Sequence, residues 1–87
     1  MTLEQLRIFL AVAEREHVTR AAEALNLTQS ATSAAIAALE ARHGTRLFER
    51  IGRGIRLTAA ARAFLPEARA VLARAAVAVG ISGLFME

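Results

Sequence analysis

Residues 19–44, TRAAEALNLTQSATSAAIAALEARHG, decide the fold of this chain. Two alanine-rich segments are joined here by only three residues, NLT, a connection too short for two helices to lie flat together. Asn26 tolerates the left-handed conformation that ends a helix, and Thr28 is a good N-cap for the next helix. The stretch therefore predicts a helix-turn-helix, whose second helix begins at Gln29 and is ended by Gly44.

The second of these helices has two faces of different character. Its inward face carries residues spaced by four, three and four positions: Thr32, Ile36, Leu39 and His43. Its outward face carries small or polar side chains: Gln29, Ser30, Ser33, Ala34 and Ala37. Hydroxyl and amide groups beside the free N–H groups of a helix N-terminus suit contact with an anion. Capping alone would explain Thr28 and leave Ser33 without a role.

The residues before this motif also predict helices. Thr2 and Gln5 form a capping box for a helix over about residues 2–16. This helix is apolar on two flanks, so both must be buried. Thr19 is predicted to cap the short helix that follows.

A basic hairpin is predicted after the helix-turn-helix. Two β-capable runs, residues 47–50 and 55–57, flank IGRG, whose two glycines allow a tight turn. Three arginines lie on or beside these runs: Arg50, Arg53 and Arg56. A small basic hairpin in this position is typical of a wing, although an ordinary solvated hairpin has the same pattern.

A long last helix is predicted over about residues 59–79, with Thr58 as its cap and Pro66 inside it. One apolar stripe runs along it: Phe64, Ala68, Val71, Leu72, Ala75 and Val79. Because a small chain has little else to cover a stripe about 30 Å long, the stripe predicts a homodimer interface. Packing on the first helix is the alternative. Residues 80–87 fit no pattern and are interpreted as a tail, either disordered or foreign to the natural chain.

Charge is distributed unevenly along the 87 residues, in which every base is arginine and every acid is glutamate. Residues 1–41 carry three Arg and five Glu, whereas residues 42–74 carry eight Arg and two Glu. A basic half on a small domain suggests a polyanionic partner. A solvated arginine-rich surface would give the same pattern.

Catalysis and cofactor binding are not predicted. The chain has no Cys, Asp, Lys, Tyr or Trp, and its two histidines, His17 and His43, lie on separate elements. This composition offers no activated nucleophile and no metal-ligand spacing, so we predict no catalytic residue, no metal and no cofactor. His17 is interpreted as a solvated loop residue. RNA binding lacks an aromatic stacking platform. No apolar run approaches the roughly 18 residues of a membrane span, and a cytoplasmic protein without a membrane partner is expected.

The order of these motifs resembles the DNA-binding domain of LysR-type transcriptional regulators. The resemblance covers about residues 2–75 and rests on several motifs in one order: QLRIFLAVAE, TRAAEALNLTQS, RLFER, GRGIRLT and FLPEARAVL. It implies a mainly α fold, a winged helix-turn-helix of three helices and a two-stranded wing over residues 1–57. A linker helix over residues 58–79 would form a homodimer. A larger effector domain, through which a small-molecule inducer acts, would complete the regulator.

The resemblance also implies two sets of contacts with double-stranded DNA. The base-reading positions would be Gln29, Ser30, Ser33 and Ala34. The phosphate-binding positions would be Thr19, Thr28, Arg50 and Arg53. The base-reading positions agree with the outward face that the periodicity of the residues predicts.

This chain departs from the family pattern at several positions. Ala34 and Ala35 stand where the family often has arginine and glutamine, which leaves Gln29 as the best reader of a hydrogen-bond pattern. Thr32 and His43 stand where leucine is usual, and Thr32 can donate a hydrogen bond back to a helix carbonyl. Ala61 replaces a glycine. The two alanines leave open a second function, a helical protein-interaction module that has lost DNA binding.

Overall fold

The computed structural model describes the backbone of residues 1–86 and the side chains of residues 1–79. Over this range the chain forms four helices and one two-stranded antiparallel sheet. In chain order the elements are α1 (Leu3–Arg15), α2 (Val18–Leu25), α3 (Gln29–His43), β1 (Phe48–Ile51), β2 (Gly54–Leu57) and α4 (Ala59–Met86). This order confirms the mainly helical winged helix-turn-helix expected from the sequence.

Local side-chain chemistry places the ends of α1 and α3 where the sequence predicts them. The Thr2 hydroxyl accepts the Gln5 N–H at 3.1 Å, and Gln5 Oε1 accepts the Thr2 N–H at 3.0 Å, which completes the capping box of α1. The Thr28 hydroxyl accepts the Ala31 N–H at 3.0 Å and begins α3. Gly44 ends α3 in the left-handed region, with φ of 58°.

The start of α2 differs from the sequence prediction. Its N-cap is His17, whose Nδ1 accepts the Arg20 N–H at 3.1 Å, while Thr19 lies inside the first helical turn. The prediction that Thr19 caps this helix is therefore wrong, and His17 is no ordinary loop residue. An imidazole nitrogen that carries no proton accepts a hydrogen bond as a hydroxyl oxygen does. Asn26 ends α2 with φ of 61°, as predicted.

The core is organised around Phe9, which is fully buried on α1. Its ring centroid lies 5.8 Å from that of Phe48 on the wing and 5.2 Å from that of Phe64 on α4. Such tilted aromatic pairs are favourable beyond the area that they bury. Since α1 packs against all three other helices, both of its apolar flanks are covered, as its sequence requires.

The predicted inward face of α3 is confirmed for three of its four residues. Thr32, Ile36 and Leu39 are buried, whereas His43 is exposed. His43 lies in the last turn of α3, beyond the core, where its imidazole stays in water. The predicted inward position of His43 is therefore wrong.

The wing is a tight hairpin anchored at its base. Phe48 pairs with Leu57, both buried, and Ile51 pairs with Gly54, so the turn consists of Gly52 and Arg53 alone. Gly52 has φ of 55°, and Arg53 has a negative φ. These signs are those of a type II′ turn, which requires glycine at its first central position. Arg53 therefore lies at the tip of the wing.

The last helix begins as predicted and continues further. The Thr58 hydroxyl accepts the Ala61 N–H at 3.2 Å, which caps α4. The helix contains Pro66 and runs to Met86, beyond the predicted end at residue 79. The predicted tail, residues 80–87, falls outside the side chains that the structure describes. None of the described helices is both long and apolar enough to cross a membrane.

Candidate nucleic-acid interface

The outward face of α3 is open to solvent. All four predicted base-reading residues are exposed: Gln29, Ser30, Ser33 and Ala34. Their side chains begin at the first helical position of α3, since Thr28 is the N-cap. The face therefore presents short polar side chains at the positive end of the helix dipole.

A polar cleft of about 140 Å³ lies between the start of α2, the outward face of α3 and the wing. It brings together residues that are distant in sequence but belong to the two predicted sets of DNA contacts: Thr19, Gln29, Ser33, Arg50 and Arg53. The other three predicted contacts, Thr28, Ser30 and Ala34, are exposed outside its lining. The cleft therefore joins a helix face and a basic hairpin into one concave surface, which we call the α3–wing cleft.

Three charged residues line the α3–wing cleft: the arginines Arg50 and Arg53, and Glu16 at the end of α1, so positive charge is in excess. Arg50 on β1 and Arg53 at the tip of the wing are both exposed. The ion pairs between described side chains involve other arginines: Arg7, Arg46 and Arg69. The planar guanidinium groups of Arg50 and Arg53 thus keep their donors for an anionic partner such as phosphate.

Two threonines add neutral donors around the same surface. Thr28 uses its oxygen to accept the Ala31 N–H, so its own O–H remains free to donate. Thr19 lies in the first turn of α2, where backbone N–H groups have no partner within the helix. Hydroxyl and backbone N–H donors at helix N-termini are common ligands of DNA phosphate oxygens.

The two alanines that depart from the family pattern have different environments. Ala34 is exposed, whereas Ala35 is half-buried and packs against the core. A larger side chain at position 34 would extend into solvent. A larger side chain at position 35 would meet core residues before it reached solvent. Of the two, only Ala34 belongs to the exposed outward face of α3.

The predicted dimer stripe does not form one continuous exposed surface. Its first part packs within the protomer, because Ala68 is fully buried and Phe64 is half-buried against Phe9. Its later part is open, with Val71 46% exposed and Val79 70% exposed. Leu72 and Ala75 are half-buried between these extremes. Packing on α1 thus accounts for the beginning of the stripe and leaves its end uncovered.

Glu40 is a residue for which sequence reasoning offered no role. It lies on α3, and its Oε2 accepts the Leu47 N–H at 2.7 Å and the Phe48 N–H at 3.3 Å at the start of β1. The Arg46 Nε lies 3.7 Å from the same oxygen. Backbone donors have no sequence signature, so the only available signal was that Glu40 is the one acidic residue of α3.

Comparison with known proteins agrees with this geometry. Residues 3–62 match the family model described as the bacterial regulatory helix-turn-helix protein, lysR family. A helix-turn-helix transcriptional regulator from the ibpB-leuC intergenic region of Azotobacter vinelandii is 51% identical over 72 residues, 83% of this chain and 50% of the relative. The regulator ShiR of Corynebacterium glutamicum (strain R) is 49% identical over 78 residues, 90% of this chain and 26% of the relative. The chain thus spans half or less of these curated relatives.

A solved structure of a protein–DNA complex is also similar. The crystal structure of the CbnR_DBD–DNA complex superposes with a TM-score of 0.87 and 40% sequence identity, covering 100% of both chains. The matched proteins are transcription regulators, in agreement with the prediction that the chain is not an enzyme.

Proposed function

The chain belongs to the LysR family of bacterial regulatory helix-turn-helix proteins, and we propose that it binds operator DNA sequence-specifically to regulate transcription. The observation that carries the proposal is the α3–wing cleft, in which Gln29 and Ser33 share one concave surface with Arg53. A protein that reads bases and grips phosphates must present both sets of groups to the same duplex. This cleft does so.

In the proposed complex, α3 enters the major groove with its N-terminal turns against the base edges. Four exposed residues would meet the bases: Gln29, Ser30, Ser33 and Ala34. Gln29 can pair with adenine through two hydrogen bonds, and Ala34 can contact a thymine methyl. The serines can donate to or accept from either partner of a base pair.

The phosphate backbone would be held on both sides of this helix. Arg50 and Arg53 would contact phosphates from the wing, and Thr19 and Thr28 would contact them from the helix N-termini. These contacts fix the position of the protein on the duplex, and they make binding strongly dependent on salt.

We further propose that residues 1–57 form the DNA-binding domain and residues 58–79 a linker helix that forms a homodimer. The exposed end of the apolar stripe, at Val71 and Val79, is the surface available for a second copy. A dimer of this kind would read two half-sites related by two-fold symmetry. An inducer would act through an effector domain in the full-length regulator, in the bacterial cytoplasm on the nucleoid.

Selection from pooled random duplexes at two salt concentrations tests the proposal. Enrichment of an interrupted palindrome is expected, and its spacing measures the distance between half-sites. Retention without enrichment, lost steeply as salt rises, would mean that the wing grips phosphate while α3 reads nothing. Absence of retention at both salts would overturn DNA binding and favour a protein-interaction module.

A further inference from the structure

We propose that Glu40 is a positioning residue, which holds the wing against the recognition helix so that Arg50 and Arg53 reach the duplex read by α3. This inference rests on the proposed DNA binding. Glu40 Oε2 accepts the Leu47 N–H at 2.7 Å and the Phe48 N–H at 3.3 Å. Only 18% of its side chain is exposed. In a partly buried site, a charged acceptor forms a stronger hydrogen bond than a neutral acceptor does.

The two N–H groups that Glu40 binds lie at the base of the wing. On the other side of this base, Thr58 completes the connection to α4, since its N–H donates to the Leu47 carbonyl at 3.0 Å. The Thr58 hydroxyl also donates to the Arg46 carbonyl at 2.7 Å. The base is therefore held on one side by Thr58 and on the other by Glu40. Within residues 1–79, Glu40 makes the hydrogen bonds that join α3 to the wing.

The negative charge of Glu40 indicates that this residue does not contribute to DNA binding by attracting phosphate. Its contribution would come from positioning the wing. A carboxylate on the recognition helix repels phosphate, so charge alone predicts tighter DNA binding when Glu40 is neutralised. The positioning role predicts the opposite, because a wing released from α3 presents its arginines less well. The two readings therefore differ in direction as well as in size.

A double-mutant cycle separates the two readings. The variants are Glu40→Ala and the pair Arg50→Ala with Arg53→Ala, alone and combined, with affinity for a random duplex measured against salt. In the unmodified protein the arginine pair is expected to lower the salt slope by about two. In the Glu40→Ala background that loss is expected to fall below about one, with a correspondingly smaller change in affinity. An arginine effect of the same size in both backgrounds overturns the positioning role.

Glu49→Ala is the matched control. Glu49 also carries a negative charge, but it lies exposed on β1 opposite Arg56. Its removal is expected to tighten binding slightly and to leave the arginine effect unchanged. Should Glu49→Ala reduce the arginine effect as Glu40→Ala does, the result would be one of charge and the proposal would be wrong.

Two further measurements guard against simple unfolding. Glu40→Gln keeps the shape and one neutral acceptor, so the arginine effect is expected to decrease in the order Glu40, Gln, Ala, and another order overturns the proposal. The effect of Gln29→Ala on sequence preference should survive in both Glu40 variants, because α3 itself is unchanged. Its loss would mean that the domain is loosened as a whole, and this would overturn the specific positioning role of Glu40. Failure of the arginine pair to affect the unmodified protein would instead contradict the proposed DNA binding.

Discussion

Thr32 donates two hydrogen bonds to one acceptor, the carbonyl oxygen of Thr28, from its hydroxyl at 2.9 Å and from its N–H at 3.1 Å. Thr32 is fully buried at the start of α3, so its hydroxyl depends entirely on this bond. The Thr28 carbonyl, in contrast, keeps the backbone bond when the hydroxyl is removed. The side chain that departs from the family pattern is thus satisfied locally, by the helix that carries it.

This arrangement predicts how α3 responds to substitution at Thr32. Thr32→Val should change the free energy of unfolding by less than about 1 kcal/mol, because no polar group is left without a partner. Thr32→Ala should lower it by about 1–2 kcal/mol, because it opens a cavity beside Leu39 and Ile36. Urea unfolding followed by circular dichroism measures both. A loss for Val as large as that for Ala would mean that the hydroxyl bond itself stabilises the helix.

The N-cap of α2 gives a second prediction: substitution of the cap residue should destabilise the fold more than substitution two residues later. His17→Ala should lower the free energy of unfolding by about 1 kcal/mol, because the Arg20 N–H loses its acceptor. His17→Ser should restore most of this loss. Thr19→Ala is the control and should stay within about 0.5 kcal/mol of the unmodified protein. If Thr19→Ala lowered the free energy of unfolding more than His17→Ala did, Thr19 would be the N-cap, as the sequence predicts.

Local chemistry made much of this fold predictable from the sequence. Thr28, Asn26 and Gly44 lie where their side chains or backbone freedom favour helix ends, and the structure agrees at each. The sequence did not predict His17 as an N-cap, because histidine is outside the group of residues that usually begin helices. Its role depends on a ring nitrogen and not on a hydroxyl, and residue preferences do not register that equivalence.

What could not be predicted depends on contacts between distant parts of the chain. Periodicity placed Ala68 on the predicted dimer stripe, but only the fold shows that Ala68 is already fully buried within the protomer. The same applies to Glu40, whose partners are two backbone N–H groups in the next element. The sequence predicted five residues of the α3–wing cleft one by one, whereas only the fold shows that they share one surface.

Gln29 and Arg53 face the same cleft, but their substitution should affect DNA binding in different ways. Arg53→Ala should weaken binding to all duplexes and lower the salt slope by about one, because one phosphate contact is lost. Gln29→Ala should leave that slope unchanged and reduce discrimination between operator and random DNA by about 1–3 kcal/mol. Fluorescence anisotropy with both duplexes over a salt series measures the two effects.

The control for this pair is Arg74→Ala, which removes the same charge from an exposed position on α4. It should change the salt slope less than Arg53→Ala does, since it lies outside the α3–wing cleft. Equal losses on operator and random DNA for Gln29→Ala would count against Gln29 as a base reader.

The exposed end of the apolar stripe predicts where a dimer is most easily broken. Val71 is 46% exposed within the protomer, and in a symmetric dimer each substitution acts twice. Because only about half of each valine remains to be buried, each copy contributes about 0.7 kcal/mol or more, so Val71→Glu should raise the dimer dissociation constant by at least about 10-fold. Sedimentation over a range of concentrations measures this change.

Ala73→Glu is the matched control, because Ala73 is exposed on the opposite side of α4 and its substitution should leave the dimer intact. Equal weakening by both variants would assign the effect to charge, and a chain that sediments as a monomer at every concentration would refute the homodimer.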